Sequence, residues 1–575
     1  MHIAPASGLS FIVKMKKLRW QILVVVLTLI VVTVLLLTQQ PGLNPILPEP
    51  AGGGIYSEAL VGSFGRLNPL LDLNNPTDRD IDRLLFSSLI KFDPSGTPQP
   101  DLAESWGVSA DGTIYNVTLR ANAFWQDGPP ITSDDVMFTI NLLRSEYSAF
   151  PADVRSMWDQ VEITRLDDKN IKFTLTEPFV PFLDYLTFGV LPAHLLETVP
   201  ADQLSSTGFN LAPVGSGPYK FDHLTVESGQ ITGVVLTVSK NYYGQVSFID
   251  QIVFRYYPSA DAALSAYSQG EVLGINQIPA NNLAATCSDP NLSCYSSRMP
   301  RLSMVLFNLG NNDVQFFQDK IIRRALMVGL NRQWMVDYIL QGQAVVAESP
   351  LLPQTWAYYD GVERIGFDPD TAVNELKAAG FMLPPDGTIR AKDGVSLSFT
   401  MAYPDDNIHA QLAQTIQKNW AAVGVEVNLQ PVPYGSLFND YLTPRTYQAA
   451  LVDLDLSRSY DPDPYPFWHQ AEITGGQNYS QWDNRTASEY LEQARVIADP
   501  DIRARLYRNF QVIFARDLPA LLLYYPIYTY GVDQRVQGVQ AVPLFEPADR
   551  FNGIANWYLV TRRAFEQTLQ PTLNP

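Results

Sequence analysis

The stretch DLAESWGVSADGTIYNVTLRANAFWQDGPPITSDDVMFTINLLR, residues 101–144, decides how the rest of the chain is placed. Asp111-Gly112 is a tight-turn dipeptide, and Tyr115, Val117 and Leu119 after it alternate with the period of a half-buried strand. The pattern predicts a hairpin. Asp127-Gly128-Pro129-Pro130 breaks the chain, and Thr132-Ser133-Asp134-Asp135 then sets an N-cap hydroxyl three residues ahead of a carboxylate, close to a capping box. Val136, Ile140 and Leu143, at i, i+4 and i+7, predict a helix to follow. By themselves these residues describe a well-formed α+β segment with no chemistry to perform.

Outward from this stretch, 575 residues are too many for one core and imply about three or four domain-sized units. Apolar residues make up 46%, and 28 Tyr, 28 Phe and 10 Trp supply aromatic surface for burial and for ligand contact. The formal net charge is −19, so nucleic acid is excluded as a partner, because phosphate binding needs clustered Lys and Arg. Cys287 and Cys294 are the two cysteines, in TCSDPNLSCYS. Two free buried thiols are one reading. A short disulfide is the other, favoured if the domain lies outside the cytosol.

Lys14, Lys16, Lys17 and Arg19 precede Trp20, and residues 22–37 are an apolar run interrupted only by Thr28 and Thr33. No A-x-A-like cleavage site and no lipidation cysteine follow it, so an uncleaved anchor is expected, with a basic cytoplasmic segment 1–19 and a single membrane span at 20–38. Residues 39–54, ending in Gly52-Gly53-Gly54, read as a linker. No G-K-[ST] follows the glycines, so they are not a phosphate loop.

The order of words in 101–144 is AESW, a DG turn, a strand ending TLR, and then F-W-x-DG-x-P-I-T-S-D-DV-x-F. It resembles the signature region of the peptide- and nickel-binding family of extracytoplasmic solute-binding proteins that feed ABC importers. Other stretches resemble the same family: Asn68-Pro69, LPAHLL at 191–196, VGSGPYKF at 214–221, NYYG at 241–244, and Phe307-Asn308 followed by Arg323-x-Ala325-Leu326 and Asn331-Arg332. Gly274 stands where the family pattern ends in Asp. Farther on, Asp319 is expected to cap a helix with Ile322, Ala325, Leu326 and Leu330 on one face; Asp368-Pro369 and Asp499-Pro500 open helices, and Ile408, Leu412 and Ile416 mark an amphipathic one ending at Gly424.

The resemblance covers residues 55–560 and implies a mixed α/β, two-lobed periplasmic-binding-protein-like (type II) fold that encloses its ligand between lobes. The expected divisions are lobe I at 55–305, with an extra subdomain at about 93–205, lobe II at 306–535, and a return to lobe I with the C-terminal tail at 536–575. It also implies binding without catalysis, an ABC permease with cytoplasmic ATPases as partner, and peptides as the ligand class, with no cofactor and no metal.

The expected ligand zone is residues 451–484. In the family a carboxylate three residues before a [DE]-P pair holds the peptide ammonium. Asp461-Pro462 matches the pair, but Arg458 occupies the carboxylate position. Asp455 or Asp453 takes the ammonium if the loop is shifted; otherwise Arg458 suits a ligand carboxylate or phosphate through bidentate pairing, and Asp461 itself is counted with the candidate ligand contacts. Tyr460, Trp468, Tyr479 and Trp482, irregularly spaced among Asp, Asn and Pro, are candidates to stack on the ligand.

Two other classes compete. Ser88-Leu89-Ile90-Lys91 matches the S-x-x-K of membrane-anchored serine acyl-enzymes of the penicillin-binding type, although the K-[ST]-G and S-x-N partners are missing. A sensor that binds the same ligand and signals without transport would carry the same sequence. His194 and His469 are lone histidines, and each reads more simply as structural than as a metal ligand.

Overall fold

The computed structural model describes residues 24–33, 47–457 and 460–564, in two units. The smaller unit holds a helix at 24–33 and an antiparallel pair, Leu47–Ala51 with Val560–Ala564. The Thr28 and Thr33 hydroxyls donate to the carbonyls of Val24 and Leu29, which lets two polar side chains stay in an apolar helix. No helix among the described residues is long and apolar enough to cross a membrane. The rest of the expected span, 20–23 and 34–38, lies outside the described residues.

The larger unit, 53–559, is organised by the fourteen-residue strand Ala520–Asp533. Its first half pairs with Arg301–Phe307 and Ala344–Val346, and its second half with Leu292–Arg298 and Gly274–Ile275, all antiparallel. From the first half the sheet continues through Ala449–Asp455, Ser398–Pro404 and Glu426–Val432. From the second it continues through Ile55–Val61, Gln251–Tyr257, Gln230–Val238 and Tyr219–Glu227.

Two sets of hydrophobic core flank this sheet. One draws on residues 56–292 together with 528–557, and the other on 302–525. A separate antiparallel sheet, in the order Ala103–Val108, Ile114–Leu119, Asn170–Thr174 and Glu162–Arg165, belongs to the first set. Its hairpin turns where Gly112 takes φ +72 and the Asp111 carboxylate accepts from Ser109 Oγ and from Thr113 Oγ1 and N–H. Tyr115, Val117 and Leu119 are buried. The helix Ser133–Arg144 starts at a capping box in which the Thr132 N–H donates to Asp135 Oδ2 at 2.8 Å, and it buries Val136, Ile140 and Leu143.

In the second set, Asp319, Asp368 and Asp499 cap Lys320–Val328, Pro369–Ala378 and Pro500–Asp517. One expectation is corrected. Asn407–Ala422 buries His409, Leu412, Ala413, Ile416 and Trp420, whereas Ile408 is 40% exposed. Leu412 and Ile416 lie on the buried face as expected, but at its start His409, between the Asp406 and Asp453 carboxylates, takes the inward position.

Cys287 and Cys294 are joined by a disulfide between the helix Ala280–Thr286 and the strand Leu292–Arg298. Closing so short a loop restricts the unfolded chain, so Cys294→Ser is expected to lower the unfolding free energy by about 2 kcal/mol. Urea titration of the variant, and of the reduced wild type, checks this; both should show the same loss.

Candidate functional site

A cavity of about 1270 Å³ opens between the two sets of core. On one side lie the end of Ala449–Asp455 and the segment after it, with Tyr434, Phe438 and Tyr479; on the other lie residues from the helix Pro76–Leu85 and from segments 86–101 and 542–556.

Strand alternation puts Asp453 and Asp455 on one face of Ala449–Asp455, and both line the cavity. Asp455 is exposed, and its carboxylate accepts from the Ser457 N–H at 2.9 Å. Asp453 is half-buried, with Oδ2 3.5 Å from His409 Nε2; the other His409 nitrogen lies 2.6 Å from Asp406 Oδ2. Burial works against charge on both partners. The His409, Ser303 and Arg301 neighbours nevertheless hold Asp453 below its usual range, and Asp453 and Asp406 hold His409 above its own.

The His409 contribution to stability is therefore full below the unfolded-state value of about 6.5 and is lost as pH rises through the raised folded-state value. The melting temperature of the wild type is expected to fall over that interval and that of His409→Gln to stay flatter, as thermal melts at a series of pH values would show.

Tyr460 lines the cavity from the same segment and stacks on Phe92, with centroids 4.8 Å apart and planes at 3°, and it packs against Phe545 at 4.8 Å. A residue adjoining the second core thus packs into the first. Asp461 is buried in a bidentate ion pair with Arg503, both bonds 2.7 Å, and its N–H donates to Asp184 Oδ2. Its carboxylate is paired with Arg503 at the cavity wall. Arg458 lies outside the described residues.

The two tryptophans are placed differently from each other. Trp468 is 3% exposed, meets Phe514 edge-on and contributes to the cavity lining. Trp482 packs on Phe510 and Phe514, its N–H donating to Asn478, and is not among the residues that line the cavity. Both fill the core beside Pro500–Asp517. More aromatic surface facing the cavity comes from Tyr434, Phe438 and Tyr479, with Tyr434–Phe438 at 5.3 Å and Phe438–Tyr479 at 6.3 Å. Tyr434 and Phe438 were not legible in advance, since YGSLFNDYL reads as an ordinary amphipathic turn.

The opposite wall carries charge. Arg79 and Arg83 of Pro76–Leu85 converge on Glu546, and Arg83 also reaches Asp549 at 3.3 Å. Asp101 accepts from the Tyr243 hydroxyl at 2.6 Å.

The model for bacterial extracellular solute-binding proteins, family 5, matches residues 97–478. The chain belongs to that family. It is the solute-binding component of an ABC importer of the peptide/nickel class, extracytoplasmic and not an enzyme. This family member is 27% identical to the oligopeptide-binding protein AppA of Bacillus subtilis over 521 residues, covering 89% of this chain and 92% of AppA. It is 25% identical to the dipeptide-binding protein of Escherichia coli over 513 residues, 84% and 91% of the two chains. The solved structure of Bacillus subtilis AppA with a nonapeptide superposes with a TM-score of 0.68 at 25% identity, over 89% of this chain and all of that one. The substrate-binding protein CtaP of Listeria monocytogenes gives 0.73 at 25% identity, over 88% and 99%.

The serine acyl-enzyme alternative falls with this assignment, and geometry gives the reason. S-x-x-K needs a helical turn to bring positions three apart together, but Lys91 lies in the strand Ile90–Phe92. The Ser88 hydroxyl donates to the Ile90 carbonyl at 2.8 Å.

Proposed function

We propose that the protein captures peptides in the cavity and passes them to a membrane permease. What supports this is the size and lining of the cavity. At about 1270 Å³ it exceeds the roughly 300–1,000 Å³ of sites for drug-sized molecules. Carboxylates on one strand end suit an ammonium, and aromatic walls suit side chains of varied shape. Asp453 and Asp455 would hold the ligand ammonium and Arg458 its carboxylate, with Tyr434, Phe438, Tyr460 and Tyr479 as walls. The AppA structure with a nonapeptide, similar over most of both chains, points the same way.

Lobe I would be 55–305 and lobe II 306–535, hinged where Leu292–Arg298 passes into Arg301–Phe307 and where Ala520–Asp533 changes partners. Closure on a ligand held by both lobes would shift the population toward a transport-competent form. Residues 20–38 would tether the protein to the membrane, and of the expected linker 39–54 the stretch Leu47–Ala51 is a strand paired with Val560–Ala564. Native mass spectrometry of the protein purified without denaturation is expected to release ligands that fragment as peptides. Release of a non-peptide solute only, with no binding of added peptides, overturns the proposal.

A further inference from the structure

As a peptide site the cavity holds an unexplained excess of negative charge. Among the described residues, ten carboxyl side chains line it against five cationic ones. The cations already have partners. Arg79 and Arg83 meet Glu546, Arg495 meets Asp463 at 2.7 Å, Arg120 donates to the Asp101 carbonyl and stands over Tyr243, and the charge of Lys91 acts on Asp101.

Two carboxyl groups at the wall formed by Pro76–Leu85 are compensated less closely. Asp72 is 6% exposed, and its carboxylate stands 4.0 Å from Arg79, which is turned to Glu546 and to the Leu73 carbonyl. Asp82 is 3% exposed, and neither of its oxygens has a hydrogen-bond partner, although the Asn68 amide is near enough to favour the ionised form. Burial is the main reason that both titrate high, Asp72 at about 7, and the charge of Asp72 raises Asp82 further. A buried carboxyl group left in this state is costly to ionise until a cation arrives.

We propose that the solute is a peptide bearing a lysine or arginine side chain, and that Asp72 and Asp82 receive its cationic head. This rests on the peptide reading of the cavity and narrows it. A long basic side chain suits the wall because its methylene stem can lie along apolar surface, which Pro69 and Phe86 supply in the same cavity, while its head reaches the carboxyl pair. Peptides without such a side chain leave the pair as it is and gain nothing from it.

Isothermal titration of the full chain with Ala-Lys-Ala and Ala-Ala-Ala, and with Ala-Ala-Lys-Ala-Ala and its all-alanine counterpart, tests the proposal. The lysine member of a pair should bind at least about tenfold tighter. It should also release protons at pH 7, seen as a heat that varies with the ionisation enthalpy of the buffer, because the arriving cation lowers the carboxyl pKa. In Asp82→Asn and Asp72→Asn the affinity ratio within each pair should fall toward one.

Equal affinities in the wild type overturn this inference and leave the peptide reading standing. A ratio that survives both substitutions, with the two peptides weakened alike, shows a merely structural role for the pair and overturns the site. No binding of any of the four peptides removes the peptide reading and this inference with it.

Discussion

Arg550→Ala is expected to destabilise the protein by about 3–5 kcal/mol, the cost of leaving buried carboxylates without their cation. The Arg550 side chain has no solvent exposure. Its Nε and one terminal nitrogen donate to Glu58 Oε1 at 3.0 and 2.6 Å, and its terminal nitrogens reach both oxygens of Asp80 at 2.7 Å. The Tyr56 hydroxyl donates to the remaining Glu58 oxygen at 2.6 Å, and the guanidinium lies over the Phe551 ring. Burial raises Glu58 and Arg550 counters it, so removing the cation leaves two carboxyl groups that must ionise alone or take up protons.

Lysine would restore the charge but not the forked geometry, so Arg550→Lys should recover only part of the loss. The triple variant Glu58→Gln, Asp80→Asn, Arg550→Met should be less damaged than Arg550→Ala, because it removes the charges together. Urea unfolding of the three proteins decides the matter. A loss below about 1 kcal/mol for Arg550→Ala would mean that water reaches the site and that the triad is not a closed network.

Asp455→Ala should raise the dissociation constant for a bound peptide about 30-fold or more, roughly 2 kcal/mol, as expected when one partner of an enclosed charge pair is lost. Asp455 is exposed in the described structure and makes a single hydrogen bond, from its own turn, so its carboxylate is available to an ammonium. Asp453 on the same strand face is already engaged with His409, which makes Asp455 the freer of the two. Titration of the variant against an identified peptide, with Asp386→Ala as an exposed control, measures the effect. If Asp455→Ala weakens the peptide no more than Asp386→Ala, the anchor lies elsewhere in the loop.

The devices that proved legible in advance are short-range. Asp111-Gly112, the Thr132–Asp135 box and the Asp caps before Pro369 and Pro500 each act within about four residues, so a window of sequence contains the whole cause. Strand and helix periods likewise recovered most buried faces. The miss at Ile408 arose because His409 takes the inward position through Asp453, on a strand more than forty residues away. The Asp461–Arg503 pair was illegible for the same reason, since Arg503 lies in Pro500–Asp517, about forty residues on.

By itself, then, the sequence determined the family, the alternation of helices and strands, and the region from which one wall of the cavity comes, because these depend on local patterns and on the order of motifs. Only the tertiary structure decided which acids are spent on internal pairs and which face the cavity, and which aromatics are core and which are wall. Ion pairs and burial are set by neighbours that folding brings in from hundreds of residues away, as Arg79 meets Glu546 and Glu58 meets Arg550, and no local window holds both partners.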